Sequence, residues 1–468
     1  MTQSTIGAGD SLRDAAPRSF WTDRPDAPDP CEALSGAATC DLLVIGGGLT
    51  GLWAAIEARI ADPSRDVLLV EARQIAFGAS GRNGGFFSES LTHGLAHGLE
   101  LWPHDLPELL RLGRENVSEI AEFLAREQID ADLRLCGKTT VATRPHHLAQ
   151  LRAAADLNAR HGETVTLLDQ DEVRSDVHSP TYLGGLRYHS GGGLLDPAAL
   201  CWGLKRSALA LGVRIHESTA VRAIRQRRGT VEVSTGSASI RATRVVLATN
   251  AYPPLLRRLR QRVLPIYDHV LMTEPLTQFA MTSIGWPDAQ GLTDAGNRFH
   301  YYRRTRDDRI LWGGFDAIYY FGNRTDAGRE QRDASHALLA RQFFQTFPQL
   351  EGTRFTHRWA GLIDSTSRFT PVFGTAMDGH LSYAVGFTGL GVAASRFGAR
   401  VAVDLVDGAE TERTRLDLVR RKPVPFPPEP LRYPVVQATR GALAREDETG
   451  RRGAYLSTLD RFGIGFNS

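Results

Sequence analysis

The hydrophobic positions of this chain follow two different periods, and each change of period marks an element of structure. Residues 42–45 and 67–70 form short continuous apolar runs, which are typical of buried strands. Between them, residues 52–58 carry apolar side chains at helical spacing. A buried strand, a helix and a second buried strand predict a βαβ unit and therefore a parallel sheet.

Later segments mix both periods. Residues 91–185 are mostly helical in pattern, with 106–124 and 148–158 the clearest helices. Asp196 and Pro197 predict the start of a helix that runs through residue 211, because an acid at the cap and proline at the first position suit a helix start. Strand patterns follow at 213–216, 231–234, 240–249, 300–303 and 310–313, and a glycine-rich turn with a long helix occupies 386–405.

The turn after the first predicted strand carries the clearest chemistry. It reads Gly46-x-Gly48-x-x-Gly51, and Glu71 follows the second apolar run. Gly46 permits the tight turn, Gly48 lets the backbone approach a pyrophosphate, and Gly51 lets the helix pack on the strand. The helix N-terminus offers N–H groups to phosphates, while the Glu71 carboxylate suits two ribose hydroxyls. Together these features predict a dinucleotide-binding site.

Two other glycine-rich segments are not turns of this kind. No second Gly-x-Gly-x-x-Gly follows a strand, which indicates one dinucleotide and disfavours electron transfer between NAD(P)H and a flavin within the chain. Residues 78–85 lie where the far half of a dinucleotide would pass. Residues 386–391 precede a helix whose N-terminus suits negative charge on a cofactor. From the residues alone, ordinary turns are the simpler explanation of both segments.

Composition narrows the class of protein. A length of 468 residues, 42% hydrophobic and 23% charged, is ordinary for a soluble enzyme of two or three domains. The net charge of +2 indicates no nucleic-acid partner, and no run approaches the ~18 apolar residues of a membrane span. The four cysteines lack CxxC spacing, which fits a reducing cytoplasm and argues against a metal site or a disulfide framework.

Five separated blocks resemble one known family. GGGLTG, Glu71, GASGRNGG, VVLATNAY and GFTGLGV occur in the order and at the spacing of the D-amino-acid-oxidase-like flavoprotein superfamily. Within it, the chain resembles the γ-glutamylputrescine oxidase branch of amine oxidases, because it also carries SFW before the first strand and TEPL at 273–276. The resemblance covers about residues 19–410 and implies that the dinucleotide is FAD, not NAD.

The resemblance also implies roles for residues. Glu71 would bind the adenosine ribose, residues 80–85 would line the pyrophosphate and the flavin, the backbone of Val221 would contact adenine, and residues 386–392 would hold the pyrimidine edge of the flavin. The predicted cofactor-binding set is Gly46, Gly48, Leu49, Thr50, Gly51, Glu71, Ala72, Ser80, Gly81, Arg82, Asn83, Gly84, Gly85, Val221, Asn250, Thr388, Gly389, Leu390, Gly391 and Val392.

The chain departs from its relatives at the points where some of them tether FAD or bind small substrates. RWAGLIDSTSRFTPVFG contains no Cys and GASGRNGG contains no His, so we expect non-covalent FAD. Sarcosine-oxidase-like relatives place a Lys after the flavin-edge turn to hold the substrate carboxylate, whereas this chain has Val392-Ala393-Ala394 there. At the centre of the turn, where relatives often have His, this chain has Leu390. No Lys lies near Leu311 and Trp312 to promote reaction with oxygen, which leaves the electron acceptor open.

The predicted fold class is α/β, with a discontinuous Rossmann-type FAD-binding domain and an inserted α+β substrate domain built on an antiparallel sheet. We predict an N-terminal arm at 1–40, the FAD-binding domain at 41–90, 186–264 and 356–410, the substrate domain at 91–185 and 265–355, and a tail at 411–468, with a Pro-rich linker or strap at 422–434.

The expected reaction is transfer of a hydride from the carbon next to an amine nitrogen to flavin N5, giving an imine that hydrolyses. The segment 299–305, FHYYRRT, predicts an aromatic strand beside the flavin, with 310–316 as its partner. Candidate catalytic residues are His300, His269, and Tyr301 or Tyr302, whichever faces inward. Each of these residues, like Asp268, also suits ordinary packing. Arg303 or Arg304 would meet an anionic group on the substrate, or both lie on a solvated face.

The sequence therefore predicts a cytoplasmic FAD-dependent amine or amino-acid oxidase that acts on a small molecule and uses oxygen or another electron acceptor. Two alternatives stay open. The first is a dehydrogenase that passes electrons to a quinone or a carrier protein. The second is a flavoprotein subunit whose long tail serves assembly with a partner.

Overall fold

The computed structural model describes residues 9–465. Residues 1–8 of the predicted arm and 466–468 of the predicted tail lie outside the described residues. The strands are β1 Gly36–Ile45, β2 Val67–Val70, β3 Phe86–Ser88, β4 Lys138–Ala142, β5 Val165–Leu168, β6 Gly184–Tyr188, β7 Gly192–Leu194, β8 Arg214–His216, β9 Ala223–Arg227, β10 Thr230–Ser234, β11 Ala238–Leu247, β12 Leu264–Thr273, β13 Gly291–Asp294, β14 His300–Arg304, β15 Ile310–Gly314, β16 Ile318–Tyr319, β17 Phe355–Ser365, β18 Val372–Ala376 and β19 Leu381–Val385.

The α-helices are α1 Leu49–Ala61, α2 Leu95–Leu101, α3 Leu106–Arg126, α4 Pro145–Arg160, α5 Gln170–Asp176, α6 Pro197–Ala210, α7 Gln278–Ile284, α8 Asp333–Thr346, α9 Gly391–Asp407, α10 Glu412–Arg415, α11 Asp417–Arg420, α12 Arg432–Thr449 and α13 Ala454–Arg461. Within residues 9–465, every helix is too short or too polar to cross a lipid bilayer.

The first sheet is the predicted nucleotide-binding sheet. Its strands run in the order β18-β19-β11-β1-β2-β8, with β10 and β9 attached to β11 as an antiparallel meander. β1 is parallel to both β2 and β11, and β11 is parallel to β19. Because β2 and β11 flank β1, ligands are expected at the carboxyl end of β1, where the connections diverge to opposite sides.

Two apolar layers cover this sheet. On one face, α1 packs with α6 and α9 around a core that includes Trp53, Ile56 and Phe397. On the other face, Leu43, Ile45 and neighbouring sheet residues pack with residues of the meander and of the second sheet. The sheet is buried on both faces, which explains why its strands appear as continuous apolar runs in the sequence.

The second sheet runs in the order β16-β12-β15-β14-β13-β4-β6-β5, and β17 also pairs with β12. Its pairs are antiparallel, with the exception of β4 and β13, which are parallel. The predicted hairpin of β14 and β15 is present, with Tyr301 opposite Gly313. The predicted α/β class with an inserted second domain is confirmed.

The prediction for residues 91–185 was wrong in part, because the helices there alternate with strands. β4, β5 and β6 all belong to the second sheet. β5 is an edge strand with exposed or half-buried residues, and β6 begins with two glycines, so neither shows a clear apolar alternation. The predicted domain limits at 186 and 356 fall inside β6 and β17.

Candidate active site

The turn between β1 and α1 has the geometry that its glycines predicted. Gly46 has a φ of +117°, and a Cβ at this position would lie 2.3 Å from the carbonyl oxygen of Ala248. A Cβ on Gly51 would lie 1.8 Å from the carbonyl oxygen of Gly46. α1 begins at Leu49 without a side-chain cap from Gly48. The N–H of Leu49, the first residue of α1, donates to Ser80 Oγ at 2.9 Å. Leu49, Thr50 and Ser80 line the cavity, so the positive end of the helix dipole faces a ligand site.

Glu71 follows β2 and is held by the backbone. One carboxylate oxygen accepts from the N–H of Gly47 at 2.7 Å, and the other accepts from the N–H of Arg73 at 2.8 Å. Burial raises the pKa of Glu71, and these two hydrogen bonds oppose that effect. Each oxygen has a further lone pair, so the carboxylate can accept from two ribose hydroxyls without losing its own support.

Residues 78–85 form a loop whose carbonyl groups are held from outside the ligand site. Ser19 Oγ donates to the carbonyl of Gly81, Trp21 Nε1 donates to that of Asn83, and Trp359 Nε1 donates to that of Arg82, each at 2.8 Å. In a trans peptide the next N–H points opposite to the carbonyl. The N–H groups of Asn83 and Gly84 are therefore directed away from these anchors, and both residues line the cavity.

The turn before α9 surrounds a buried acid. The Asp364 carboxylate, at the end of β17, accepts from the N–H of Gly386. Burial raises the pKa of Asp364 to about 6, although the backbone N–H groups of residues 386–388 lower it. Thr388 has a φ of +51°, and its Oγ1 accepts from the N–H of Thr366 at 3.1 Å. Asp364 thus fixes the turn that presents the N-terminus of α9 to the cavity.

One large cavity of about 2040 Å³ joins these parts. It is larger than the roughly 300–1,000 Å³ of an ordinary small-molecule pocket, so it has room for a dinucleotide and a substrate together. Of the predicted cofactor-binding residues, those that line it are Gly46, Gly48, Leu49, Thr50, Glu71, Ala72, Ser80, Arg82, Asn83, Gly84, Val221, Asn250, Thr388, Gly389, Leu390, Gly391 and Val392.

Three predicted cofactor residues act beneath the cavity surface instead of lining it. Gly51 gives space to the Gly46 carbonyl, and a Cβ on Gly81 would lie 2.1 Å from the carbonyl oxygen of Ala76. Gly85 has a φ of +72°, and its Cβ would lie 2.1 Å from the carbonyl oxygen of Leu195. The structure makes these glycines necessary for the backbone path, not for ligand contact.

The second sheet supplies the opposite wall of the cavity. Tyr301 pairs with Thr293 and with Gly313, and Gly313 pairs with Val270. Residues paired across neighbouring strands point to the same face of the sheet, so Tyr301, Gly313 and Val270 share one face. Asp268 lies two positions before Val270 on the same strand and therefore points to that face as well. Tyr301 and Asp268 both line the cavity, and the Tyr301 hydroxyl donates to the Asp268 carboxylate at 2.5 Å.

This pair lies next to the glycine-rich loop. A Cβ on Gly84 would lie 2.7 Å from the ring of Tyr301, and the ring of Phe86 meets Tyr301 edge-on at 5.9 Å. Enclosure of the carboxyl, with a smaller contribution from the charge of Asp316, raises the pKa of Asp268 to about 7, although the hydrogen bond from Tyr301 lowers it. A carboxyl that titrates near neutrality and sits among aromatic rings suits an amine cation.

The other three catalytic candidates do not line the cavity, because they point to the opposite face of the sheet. Tyr302 is fully buried and its hydroxyl bonds that of Tyr182 at 2.7 Å. His300 bonds Asp294 through Nδ1 and Gln342 through Nε2. His269 is fully buried, both of its ring nitrogens are without a partner, and burial lowers its pKa to about 3. These positions contradict the predicted contact with substrate.

The arginines on β14 are also structural. Arg303 is fully buried and donates to the carbonyl of Leu195 at 2.5 Å. Arg304 donates to the carbonyl of Trp286 and to Asp308. Neither lines the cavity, so neither is the anionic anchor that the sequence suggested.

Sequence reasoning missed several residues of the site. Asp364 and the anchors Ser19, Trp21 and Trp359 act through contacts between segments far apart in the chain. The SFW motif, which contains Ser19 and Trp21, indicated the family branch but not the role of either residue. His93 lines the cavity close to Thr388, burial lowers its pKa to about 3, and its Nε2 has no partner. No cluster of His, Cys, Asp and Glu within residues 9–465 could hold a metal ion.

Comparison with known proteins agrees with this geometry. Residues 41–405 match the family described as DAO, FAD dependent oxidoreductase. The chain is 32% identical over 440 residues to the gamma-glutamylputrescine oxidoreductase of Escherichia coli (strain K12), covering 93% of this chain and 96% of that protein.

Solved structures show the same fold. Glycine oxidase from Geobacillus kaustophilus aligns with a TM-score of 0.68 and 20% identity, over 83% of this chain and 99% of that one. L-proline dehydrogenase from P. horikoshii aligns with a TM-score of 0.66 and 18% identity, over 82% of this chain and 96% of that one. The family resemblance inferred from the sequence blocks is confirmed, and the chain belongs to the DAO family of FAD-dependent oxidoreductases.

Proposed function

We propose that this protein oxidises the C–N bond of an extended amine and releases an imine that hydrolyses. The observation that carries the proposal is the Asp268–Tyr301 pair, which lies in the FAD cavity against Gly84 of the flavin-side loop. The pair places a carboxylate and an aromatic ring beside the loop that we assign to the flavin, and this combination recognises an amine.

The residues of the cavity fit FAD. Glu71 would hold the ribose of the adenosine, the N-terminus of α1 would hold the pyrophosphate, and the turn before α9 would hold the pyrimidine edge. We propose that FAD is bound without a covalent link, since none of the four cysteines lines the cavity. FAD, when bound, accepts the hydride from the carbon next to the amine nitrogen.

The Asp268 carboxylate would first bind the amine as a cation and then hold the proton that the amine gives up. Oxidation requires the nitrogen lone pair to form the new C=N bond, so the amine has to be neutral at that moment. A carboxyl whose pKa is about 7 accepts a proton more readily than an ordinary aspartate. Tyr301 orients the carboxylate through its hydrogen bond and covers it with an apolar ring.

The substrate class follows from what lies at the start of α9. Val392, Ala393 and Ala394 are buried there, so the first turn of α9 offers no cation of its own to a bare substrate carboxylate. Phe86, Phe299 and Phe315 line the cavity and suit an apolar body. We therefore propose that extended amines are preferred over glycine and sarcosine. The Escherichia coli relative is named gamma-glutamylputrescine oxidoreductase, and this name supports an extended amine as the substrate.

The electron acceptor separates two versions of this proposal. Leu311 is fully buried against Trp21 and Trp359, so no cation reaches the flavin from this position to promote reaction with oxygen. A dehydrogenase with another acceptor is therefore the second candidate. Peroxide formed in proportion to amine consumed identifies an oxidase, and amine oxidation only with an added quinone identifies the dehydrogenase. We keep the cytoplasm as the proposed location, which the absence of disulfides within residues 9–465 supports.

The test is an anaerobic screen of the FAD-loaded protein with sarcosine, glycine, N-acylated putrescine and aryl-alkyl amines. We expect the extended amines to bleach the flavin fastest at equal concentration. Fastest bleaching by sarcosine or glycine would contradict the substrate class. If no amine bleaches the flavin of the isolated chain, a role as an assembly subunit becomes the better explanation.

A further inference from the structure

The C-terminal segment, residues 422–465, lines the same cavity as the amine-binding pair. We call this segment the cap. Its extended part contributes residues 424–427, and α12 contributes Val436, Thr439, Arg440 and Leu443. The cap follows the last residue of the family match, at 405. The cap therefore lies beyond the part of the chain that the family match covers, and it lines the cavity that also holds Asp268 and Tyr301.

The cap is docked mainly by polar contacts with the second domain. Arg440 donates to Asp316 at 2.9 Å, and Asp316 is also held by Ser335 at 2.8 Å. Asp447 accepts from the N–H groups of Asn297 at 2.8 Å and Arg298 at 2.9 Å. These contacts join α12 to the loops that flank the hairpin of β14, the strand that carries Tyr301, and β15.

Apolar burial contributes little to this docking. The buried residues of α12 are Arg432, Thr439, Ala442 and Asp447, so only one of the four is apolar. Val435 is 40% exposed and Leu431 is 61% exposed. A helix without a buried apolar stripe gains little from packing. The position of α12 over the cavity consequently depends on polar contacts. These are the ion pair of Arg440, the Asp447 hydrogen bonds and, at the start of the helix, the hydrogen bond from Arg432 to Asn323 at 2.8 Å.

The docking places α12 on the wall of the cavity that also holds Asp268 and Tyr301. Asp316, which holds Arg440, is close enough to Asp268 for its charge to act on that carboxyl. From Arg440 to Asp447, a helix rises about 10 Å at 1.5 Å per residue. Leu443 lies between these two docking points and lines the cavity. The stretch of α12 between the two contacts therefore presents an elongated surface to the cavity.

We propose that α12 is the wall that determines specificity for the body of the amine, with Leu443 in contact with the substrate and Arg440 as the residue that positions the helix. This inference rests on the proposed amine oxidation. It adds the part of the chain that contacts the substrate beyond its C–N bond. An apolar side chain at this wall favours a methylene chain, and its size sets the length that fits.

The first test changes the size of the wall. Leu443→Trp projects a larger ring into the cavity, whereas Ala438→Trp places the same ring at a position of α12 that does not line the cavity. With N-acylated putrescine as the probe, we expect Leu443→Trp to raise the apparent Kd for anaerobic flavin reduction at least about tenfold. Ala438→Trp should leave it within about twofold of the wild type, and both variants should retain FAD.

The second test removes the docking contact. Arg440→Gln loses the ion pair with Asp316, whereas Arg445→Gln changes an arginine of the same helix that does not line the cavity. In the FAD-loaded protein, we expect faster amide hydrogen exchange across residues 432–449 in Arg440→Gln only, together with a weaker apparent Kd for N-acylated putrescine. The maximal reduction rate should change less than the Kd, because Asp268 and Tyr301 are untouched.

The outcomes distinguish this inference from the proposed function. If no amine bleaches wild-type flavin, the proposed function fails, and this inference fails with it. If N-acylated putrescine bleaches the wild type but Leu443→Trp behaves like Ala438→Trp, the wall assignment alone is overturned. Equal hydrogen exchange in Arg440→Gln and Arg445→Gln would overturn the positioning role of Arg440.

Discussion

Replacement of Asp268 by Asn should make the protein more stable and nearly inactive at once. The carboxyl lies in the cavity wall with Tyr301 as its hydroxyl donor, and enclosure raises its pKa from 3.8 to about 7. Because one unit of pKa corresponds to about 1.4 kcal/mol, keeping Asp268 ionised in the folded protein costs at most about 4 kcal/mol. The figure is an upper limit, since the carboxyl borders the cavity.

The direction of the Asp268 pKa shift determines how the free energy of unfolding depends on pH. The folded-state pKa lies above the unfolded one, so between about pH 4 and pH 7 the folded state keeps a proton that the unfolded state has released. The wild-type free energy of unfolding therefore loses this contribution as the pH rises through that interval and loses no more above pH 7. The amide introduced by Asp268→Asn does not titrate and still accepts a hydrogen bond from Tyr301. The gain in stability from the substitution should be largest above pH 7 and small near pH 4.

The assay is urea unfolding of FAD-loaded wild type and Asp268→Asn at pH 5 and pH 8.5, with anaerobic flavin reduction measured alongside. We expect a gain of up to about 4 kcal/mol at pH 8.5, a smaller gain at pH 5, and reduction slowed by about 10²-fold or more, which is the usual contribution of a proton-accepting group. For the wild type, the rate at low amine concentration should rise through about pH 7. A stability gain that is equal at both pH values would refute the assignment of this pKa.

Three further predictions concern the cofactor. Glu71→Ala leaves the ribose hydroxyls without their acceptor, which costs roughly 1–3 kcal/mol of FAD-binding free energy. The variant should therefore purify largely as apoprotein. Unchanged FAD occupancy on dilution would contradict the assignment. Trp21→Phe removes the donor to the Asn83 carbonyl and should weaken FAD binding several-fold. The control is Trp312→Phe, which should leave FAD binding unchanged because the indole N–H of Trp312 has no partner. Equal FAD affinity in the two variants would show that the anchor is unimportant. Acid precipitation should leave a colourless pellet and a yellow supernatant, and a yellow pellet would indicate covalent FAD.

The parts of the fold that the sequence predicted are those that local chemistry determines. Gly46 and Gly51 have no room for a Cβ, and β2 is buried on all four residues, so glycine spacing and apolar runs identify them directly. The sequence did not predict β5, because it is an edge strand whose residues are half-buried or exposed. Its place in the second sheet depends on pairing with β6, which no pattern within β5 contains.

The site was harder to predict, because its residues meet through tertiary register. The alternation of β14 left Tyr301 and Tyr302 equivalent in the sequence, and only the pairing with Gly313 and Thr293 decides that Tyr301 faces the cavity. His269 is adjacent to Asp268, so the same alternation turns it away. The contribution of Arg440 depends on an ion pair with Asp316, 124 residues earlier in the chain.

The central claim, oxidation of an amine by the Asp268–Tyr301 site, is tested most directly by anaerobic reduction of wild type and Asp268→Asn side by side. Both proteins are loaded with FAD to equal occupancy and mixed with the same extended amine. We predict rapid loss of flavin absorbance in the wild type and a rate at least about 10²-fold lower in Asp268→Asn. Equal rates in the two proteins, or no loss of absorbance in the wild type with any amine, would contradict the claim.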